Sequence, residues 1–301
     1  MDYKIAVLLT CFNRREKTIK ALSSLFAARD KYNEQTNSIS TSVFLTDDGC
    51  TDGTAEAALT NFSHEQITIV KSDGNAFWAG GMRLAWAAAA KALFEWDFYL
   101  LINDDAEFLP TAFDELLSTH QYALDKYCKG GVYTGFIADI NDPLHVIYGA
   151  KTYKGRFLSR TYDMQPAGTP QPCMYTNANF LGVSKDAFEI LGNLDENYRH
   201  GGADWDYGMR GYKAGVPVLT TSGICGLSVY DHDDEDTEKD KVINMTFNER
   251  KAFLNKPQRE YHDAFVFLWR FDKLKYFIMK IAYYLNLYTP RFYYSLSKLR
   301  P

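Results

Sequence analysis

The feature that most constrains this sequence is an alternation between short, continuously apolar runs and segments with helical periodicity. Residues 5–10 read IAVLLT, an apolar run without polar alternation, which is typical of a strand buried on both faces of a parallel sheet. In the next segment Ile19, Leu22 and Phe26 recur at steps of three and four, so one helical stripe can pack on that strand. The pattern predicts a strand followed by a helix that covers it.

The same unit repeats along the first 105 residues. Further strands are predicted at 42–46 (SVFLT), 67–70 (ITIV) and 97–104 (DFYLLIND). Helices are predicted between them, at 51–62 and 80–96, the second of which is rich in alanine. Such alternation predicts an α/β fold with a doubly wound sheet, in which ligands bind where the strands end.

The remainder of the chain contains three kinds of segment. Residues 106–230 continue with shorter strands and helices, and no linker separates them from the first 105 residues. Residues 231–241 (DHDDEDTEKDK) are acidic and free of apolar side chains, which predicts a mobile loop. Residues 261–300 mix aromatic side chains with lysine and arginine, which predicts amphipathic C-terminal helices. These helices either pack back on the body or lie on a membrane or a partner.

Composition narrows the functional class. The 301 residues are 46% hydrophobic and 24% charged, which is typical of a globular protein. A net charge of −5 without a lysine-rich run argues against a nucleic-acid partner. The five cysteines are scattered and show no CxxC spacing, so they indicate neither a disulfide framework nor a structural zinc site, and a cytoplasmic location is expected. Neither a secretory leader nor an 18-residue apolar window is found.

Polar residues follow four of the predicted strands, in the segments Thr10–Arg14, Asp47–Gly53, Asn75–Arg83 and Asn103–Asp105. Because the carboxyl ends of strands in an open α/β sheet converge on one crevice, we expect these segments to line one ligand site. The adjacent carboxylates Asp47 and Asp48 would repel each other unless backbone amides, solvent or a ligand satisfied them, which suggests a ligand. Taken alone, the pair also fits a turn followed by a helix cap.

The last of these segments predicts a metal site. Asn103, Asp104 and Asp105 offer three oxygen-bearing side chains at a strand tip, which suits Mg²⁺ or Mn²⁺ with phosphate oxygens or water as further ligands. Arg14 and Arg83 also follow strand ends and are suited to face phosphate. The alternative is a solvated acidic turn.

Four motifs, VLLTCFNRREKTIKALSSL, LTDDGCTDGT, LLINDD and ADWDYGMRGYKAG, occur in an order that resembles family-two glycosyltransferases. The resemblance covers roughly residues 4 to 225. It implies a GT-A fold, with a doubly wound mixed sheet flanked by helices. It also implies a nucleoside-diphosphate sugar as donor, a divalent metal and inversion at the anomeric carbon. Trp78 in GNAFWAGGMR makes the chain similar to the rhamnosyltransferase branch.

The resemblance also assigns roles to individual residues. It implies that the donor contacts Thr10, Phe12, Asn13, Arg14, Asp48, Asn75, Arg83 and Asp104. Asp48 would accept a hydrogen bond from the base. Asp105 and His232 would bind the metal, although a lone histidine is often structural, and Asn103 stands where relatives carry the first aspartate. Asp204 would be the catalytic base that takes the acceptor proton, with Asp206 beginning the next helix.

The resulting hypothesis is a cytoplasmic inverting glycosyltransferase that uses a glycan or lipid-linked acceptor and lies peripherally at the inner face of the membrane. Residues 1–230 would form the GT-A domain, with a nucleotide-binding half at 1–105 and an acceptor half at 106–230, and residues 231–301 would form the acidic loop and helical extension. One alternative is a sugar-nucleotide nucleotidyltransferase, although TCFNRRE lacks the glycine-rich loop of that class. Another is a non-catalytic carbohydrate-binding protein, in which Asp204 and Asp105 would be dispensable.

Overall fold

The apolar runs of the sequence form buried strands. The computed structural model describes residues 2–36, 38–93, 95–154, 160–229, 235–259 and 261–297. By internal contacts the chain divides into two units. The first comprises Met1–Asp195 and Asp204–Tyr230, and the second comprises Glu196–Ala203 and Asp231–Pro301.

The first unit begins with four strands separated by three helices. The strands are β1 (Tyr3–Cys11), β2 (Ile39–Asp47), β3 (Gln66–Lys71) and β4 (Phe98–Ile102). The helices are α1 (Arg15–Thr36), α2 (Thr54–Asn61) and α3 (Phe77–Lys91). Strand β1 is buried from Ile5 to Leu9 because its side chains are apolar on both faces, with helices available to cover them.

The rest of the described first unit adds further strands and helices. In chain order these are β5 (Glu107–Phe108), α4 (Ala112–Tyr127), β6 (Val132–Asp139), β7 (Val146–Tyr148), β8 (Lys151–Lys154), β9 (Arg160–Asp163), β10 (Phe180–Ser184), α5 (Lys185–Leu191), α6 (Ala203–Lys213) and β11 (Val218–Ser228). Strands β8 and β9 pair with each other as a separate antiparallel ribbon.

Among the described residues, nine strands join in one mixed sheet in the order β3-β2-β1-β4-β10-β6-β11-β5, with β7 beside β6. Strands β3, β2, β1 and β4 are parallel. Strand β10 runs antiparallel to β4 and β6, and β11 is parallel to β6. The predicted α/β fold with a mixed sheet flanked by helices is confirmed. The carboxyl ends of six of these strands therefore share one edge of the sheet.

Helix α3 approaches the sheet closely. A Cβ atom on Gly81 would lie 2.2 Å from Oγ1 of Thr10, so only glycine fits between this helix and β1. Thr46 on β2 donates a hydrogen bond from its hydroxyl to the carbonyl oxygen of Gly81 at 2.7 Å. These contacts fix the N-terminus of α3 beside the ends of β1 and β2.

His120 on α4 is packed among aromatic rings. Its ring meets that of Phe98 edge-on at 4.8 Å between centroids, and its Nδ1 lies 2.9 Å from the hydroxyl oxygen of Tyr133. Burial lowers the pKa of His120 below its usual value, against the opposing attraction of Asp186 and Asp97. The folded protein therefore holds this ring neutral at a pH where the unfolded chain begins to protonate it.

We expect the free energy of unfolding of the native protein, relative to His120→Gln, to fall as the pH is lowered through 6.5, the ordinary pKa of histidine. Below that pH the unfolded chain binds a proton that the folded ring excludes, so stability is lost on the acid side and recovered as the pH rises. Urea denaturation of both proteins between pH 5 and pH 8 measures this difference. A difference that is constant across the range would contradict the prediction.

The second unit is helical. Its helices are α7 (Glu235–Asn244), α8 (Phe247–Leu254), α9 (Tyr261–Phe271), α10 (Lys273–Tyr288) and α11 (Pro290–Ser297), with a single 3₁₀ turn at Pro257–Arg259. Val242, Phe253, Leu254, Tyr283 and Leu287 form its apolar core. None of the helices in the described part of the chain combines the length and apolarity needed to cross a bilayer.

The acidic segment differs from the prediction of a loop. Residues 231–234 lie outside the described residues, but from Glu235 onward the chain is helical. Glutamate and lysine favour helix, and Val242 near the end of α7 is fully buried in the apolar core. Tertiary packing at Val242 therefore supports a helix in a segment whose composition alone indicated a solvated loop.

Asp263, at the start of α9, holds the segment Glu196–Ala203 within the second unit. Its carboxylate accepts hydrogen bonds from the backbone amides of Arg199 (3.0 Å), His200 (2.7 Å) and Gly201 (3.0 Å). The aspartate is only 2% exposed. Three consecutive amides therefore depend on one buried carboxylate.

We expect Asp263→Ala to destabilise this segment by about 3 kcal/mol, because three consecutive backbone donors lose a buried, charged acceptor. Hydrogen exchange of the amides of residues 199–201 should then accelerate by about 100-fold. Asp272→Ala is the matched control, since Asp272 caps α10 by accepting from the amide of Lys275 and its loss should cost about 1 kcal/mol without affecting residues 199–201. Equal exchange rates in both variants would contradict the proposed anchor.

Candidate functional site

The turn after β1 is joined to the turn after β2 by Asn13. This residue has a left-handed backbone (φ 51°), which asparagine tolerates well. Its Oδ1 accepts hydrogen bonds from the amide and the hydroxyl of Thr51 at 2.8 and 3.2 Å. Phe12 is more than half exposed, whereas Thr10 faces Gly81 under α3. The first turn thus presents an exposed aromatic ring beside a fixed asparagine.

Asp47 and Asp48 are both buried, and the chain itself supplies their partners. Asp47 is paired with the ammonium group of Lys71 and accepts from the amide of Cys50 at 2.7 Å. Burial alone would raise the pKa of Asp47, but the hydrogen bonds from Lys71 and Cys50 hold it below its usual value. The repulsion that suggested a ligand from sequence is relieved for Asp47 by these donors.

Asp48 organises the loop between β3 and α3. It accepts from the hydroxyl of Ser72 (2.8 Å) and from the amides of Ala76 (3.0 Å) and Phe77 (2.8 Å). Sequence reasoning missed these donors because they lie 24 to 29 residues away. The predicted contact between Asp48 and a nucleotide base remains a prediction. In this structure Asp48 fixes the start of α3.

The segment after β4 brings two carboxylates to one guanidinium. Nη1 of Arg14 donates to Oδ1 of Asp104 at 3.1 Å and to Oδ2 of Asp105 at 2.9 Å. Thr18 donates more weakly to the other oxygen of Asp104, at 3.4 Å. Asp104 is almost fully buried, while the side chain of Asp105 is 27% exposed. Asp105 is therefore the carboxylate that a ligand in solution can reach.

The electrostatics of this group favour an additional cation. Burial raises the pKa of Asp104 to about 6, although Arg14 opposes the shift and Asp105 adds to it. The pKa of Arg14 is raised by the same two carboxylates despite its partial burial. One guanidinium thus compensates two neighbouring carboxylates incompletely. Positive charge placed beside Asp105 would stabilise the ionised pair.

The donor set fits a hard divalent cation in type, since both candidate ligands are carboxylate oxygens. No cluster of three or more acidic, histidine or cysteine side chains suited to a metal occurs within the described ranges. Further ligands would therefore come from phosphate, water or residues not described. His232, the predicted histidine ligand, lies outside the described residues. Ser228, four positions before it, donates from its hydroxyl to the carbonyl oxygen of Asp105 at 3.0 Å.

The predicted residues of the third segment lie around α3. Asn75 is in the preceding loop, where its amide donates to Asp73 at 3.0 Å. Arg83 is directed along the helix toward the segment after α5, where Nη1 donates to the carbonyl oxygen of Asp195 at 3.0 Å. Trp78 donates from its indole nitrogen to Oδ1 of Asn103 at 2.8 Å. The structure thus links Trp78, rather than Arg83, directly to the predicted metal motif.

Asp204 lies in the first turn of α6, where the helix dipole favours a carboxylate. Its Oδ2 accepts from the amide of Ala178 at 3.2 Å and its Oδ1 from the amide of Trp205 at 2.9 Å. The hydroxyl of Thr176 donates to its carbonyl oxygen at 2.6 Å. The loop before β10 therefore fixes this side chain, which retains 8% exposure.

Asp206 is buried in an ion pair within α6. It is fully buried and pairs with Nε of Arg210 at 2.7 Å, one helical turn later. Arg210 also donates to the carbonyl oxygens of Leu191 and Asn193. Arg210 thereby ties α6 to the end of α5.

A chain of side-chain amides connects the metal motif to the loop that holds Asp204. Nδ2 of Asn103 donates to Oδ1 of Asn179 at 2.9 Å, and Asn179 donates in turn to Oδ1 of Asn177. Ala178, between these two asparagines, is the residue whose amide contacts Asp204. Sequence reasoning missed Asn177 and Asn179, although polar TNAN directly before the apolar FLGVS was the available signal.

Together these residues occupy the edge of the sheet where the parallel strands end. Cys11 pairs with Asp47 and Asp47 with Lys71 in register, while Ile102 pairs with Phe180 on the antiparallel strand β10. The antiparallel insertion of β10 brings the loop that contacts Asp204 next to the residues following β4. This combination of four parallel strands, an acidic turn after β4 and an antiparallel strand beside it is typical of a GT-A fold.

Comparison with solved structures supports the assignment of a GT-A-type fold. The chain matches the mannosyltransferase PcManGT from Pyrobaculum calidifontis, solved in complex with GDP-Man and Mn²⁺, with a TM-score of 0.55 and 13% identity over 100% of this chain and 76% of that one. It matches S. aureus TarS residues 1–349 with a TM-score of 0.54 and 12% identity over 95% of this chain and 79% of that one.

A third match is GalNAc-T7, solved with UDP, GalNAc and Mn²⁺, with a TM-score of 0.54 and 12% identity over 83% of this chain and 50% of that one. No protein-family profile matches the sequence, and no curated protein matches it significantly. At these identities the likeness establishes the GT-A-type fold.

Proposed function

We propose that the protein is a metal-dependent glycosyltransferase that moves a sugar from a nucleoside diphosphate to a hydroxyl of a glycan or lipid-linked acceptor, with inversion. The observation that carries the proposal is the shared edge at which Arg14 joins Asp104 and Asp105, and from which Asn103 and Asn179 lead to the loop around Asp204. Structures of similar fold were solved with GDP-Man or UDP and Mn²⁺, which supports a donor and a cation of these classes.

In this proposal Asp105, with Asp104 behind it, would hold Mg²⁺ or Mn²⁺, and a cation there would neutralise charge on the leaving diphosphate. Arg14 lies against the same carboxylates and adds positive charge close to that position. Phe12 is exposed on the neighbouring turn and is available to contact the base. Asn13 and Asp48 contact the donor in this proposal, Asp48 by accepting a hydrogen bond from the base, and both also fix the loops that line the donor site.

Asp204 acts as the general base. Its carboxylate takes the proton from the acceptor hydroxyl as that oxygen attacks the anomeric carbon, and the bond to the diphosphate oxygen breaks with its electron pair. The amides of Ala178 and Trp205 orient the carboxylate. In this mechanism the acceptor oxygen displaces the diphosphate in a single step, without a covalent glycosyl-enzyme intermediate. A single displacement inverts the configuration at the anomeric carbon.

The sugar and the location are finer parts of the proposal. Rhamnose is proposed first because of the resemblance around Trp78, followed by glucose or galactose and N-acetylhexosamine. All five cysteines fall within the described residues and carry free thiols, which supports a reducing cytoplasmic location.

The decisive experiment is a panel of nucleoside-diphosphate sugars, supplied with Mn²⁺ or Mg²⁺ and scored for release of the nucleoside diphosphate. We expect one donor to be turned over in a cation-dependent manner and to bind with measurable heat in calorimetry. Pyrophosphate formation from a nucleoside triphosphate and a sugar phosphate would instead identify a nucleotidyltransferase. Sugar binding without turnover, with an affinity that substitution of Asp204 or Asp105 leaves unchanged, would identify a carbohydrate-binding protein.

A further inference from the structure

The outward face of α10 is apolar, which reverses the usual arrangement of a helix at a protein surface. Six large side chains, between 49% and 64% exposed, form this face: Leu274, Phe277, Ile278, Ile281, Tyr284 and Tyr288. They recur at steps of three and four residues and so lie along one side of the helix, which we call the α10 stripe. The opposite side contributes Tyr283 and Leu287 to the core of the second unit.

Exposed aromatic residues on neighbouring helices extend the stripe. The ring of Phe247 at the start of α8 is 5.3 Å from that of Tyr288, and Phe247 is itself 42% exposed. Trp269 at the end of α9 is 52% exposed and has the ammonium group of Lys273 above its ring at 5.0 Å. A continuous exposed apolar surface of this kind marks an interaction site rather than scattered surface residues.

The charge around the stripe indicates what it meets. Helix α10 contains Lys273, Lys275 and Lys280 and no acidic residue. Over residues 261–297 five lysines and arginines stand against two aspartates, whereas the whole chain has a net charge of −5. One of the two aspartates, Asp263, is buried under three backbone amides, and the other, Asp272, pairs with Lys275 at 3.4 Å, which leaves Lys273 and Lys280 outside that pair. Positive charge is therefore concentrated at the apolar surface of an otherwise acidic protein.

We propose that the α10 stripe docks on an anionic lipid bilayer, with α10 lying in the plane of the interface. Its apolar side chains would enter the boundary between headgroups and acyl chains, while the lysines remain at the level of the lipid phosphates. A second copy of this chain fits the stripe less well, because a symmetric contact would place the lysines of one α10 against those of the other. Membrane docking needs no sugar donor and is thus independent of the proposed transfer reaction.

The test is co-sedimentation of the full chain with vesicles of phosphatidylcholine alone and with vesicles that also contain 30% phosphatidylglycerol, at about 0.1 M salt. We expect the partition coefficient onto the anionic vesicles to be at least about tenfold higher, with a blue shift in the tryptophan fluorescence that Trp269→Phe reduces. Phe277→Glu combined with Ile281→Glu should lower it by at least about 100-fold. Lys273→Gln combined with Lys275→Gln should remove most of the preference for anionic lipid.

The matched control is Leu59→Glu, which places the same charge on an exposed leucine of α2 in the first unit. It should leave vesicle binding unchanged. Equal binding to both vesicle types, no binding to either, or equal loss in Leu59→Glu and in the α10 variants would overturn the proposal. A concentration-dependent dimer in light scattering that the α10 substitutions abolish would assign the stripe to a second copy instead. Turnover of the sugar donor in solution is measured on the same α10 variants. If they keep turnover but lose vesicle binding, the membrane proposal and the proposed function are tested separately.

Discussion

We expect Asp204→Asn to lower the rate of sugar transfer by about 10³-fold, because an amide cannot take the proton of the acceptor hydroxyl. The asparagine retains an oxygen that can accept from the amide of Ala178 or Trp205, so the fold around it should be preserved. Donor affinity should change by no more than about twofold, since the residue acts on the acceptor. The rate is measured at saturating donor and cation, and donor affinity by calorimetry.

Asp186→Asn is the matched control for this substitution. Asp186 also lies in the first turn of a helix, α5, and accepts from the amide of Gly130 at 3.0 Å. Its replacement should leave the transfer rate within about threefold of the native value, because it lies away from the candidate site. If Asp204→Asn were as active as Asp186→Asn, another group would have to act as the base.

The second large effect is expected at Asp105. We expect Asp105→Asn to lower transfer by at least about 100-fold and to remove the stimulation by Mn²⁺, because the exposed carboxylate at the strand tip is lost. Asp104 and Arg14 remain paired in this variant, so the turn keeps its internal contact. Titration of the transfer rate with Mn²⁺, before and after chelation by EDTA, measures the effect.

Native protein treated with EDTA should then resemble Asp105→Asn. Asp114→Asn, at an exposed aspartate in the first turn of α4, serves as the control and should retain the native cation response. Undiminished stimulation of Asp105→Asn by Mn²⁺ would show that the cation, if required, is held elsewhere. Loss of stimulation in the control as well would point to a general effect of charge.

The sequence predicted the central part of the fold well because the signal there is local. The run IAVLLT has no polar alternation, so a strand formed from it carries apolar side chains on both faces. Both faces must then be buried, and β1 is buried on both faces. The polar segments after β1, β2 and β4 then had to share an edge, since parallel strands end on the same side. Strand direction alone therefore places Arg14 and Asp105 in one region.

Local pattern did not reveal which groups satisfy one another within that region. Asp47 and Asp48 suggested a ligand, yet Lys71, Cys50 and the loop before α3 supply their hydrogen bonds. Arg14 was expected to face phosphate, and in the structure it contacts two carboxylates. The sequence shows that the buried carboxylates need hydrogen-bond donors or cations. Only the folded loops determine which donors these are.

What the sequence determined by itself was the order of strands and helices and the edge on which their polar turns collect, because apolar periodicity and chain direction are local properties. Only the tertiary structure decided that Asn103 meets Asn179, 76 residues away, and that the apolar side of α10 faces outward. Periodicity shows that a helix has two faces. Which face is buried depends on the free energy of contacts with distant segments, and those contacts form only when the whole chain folds.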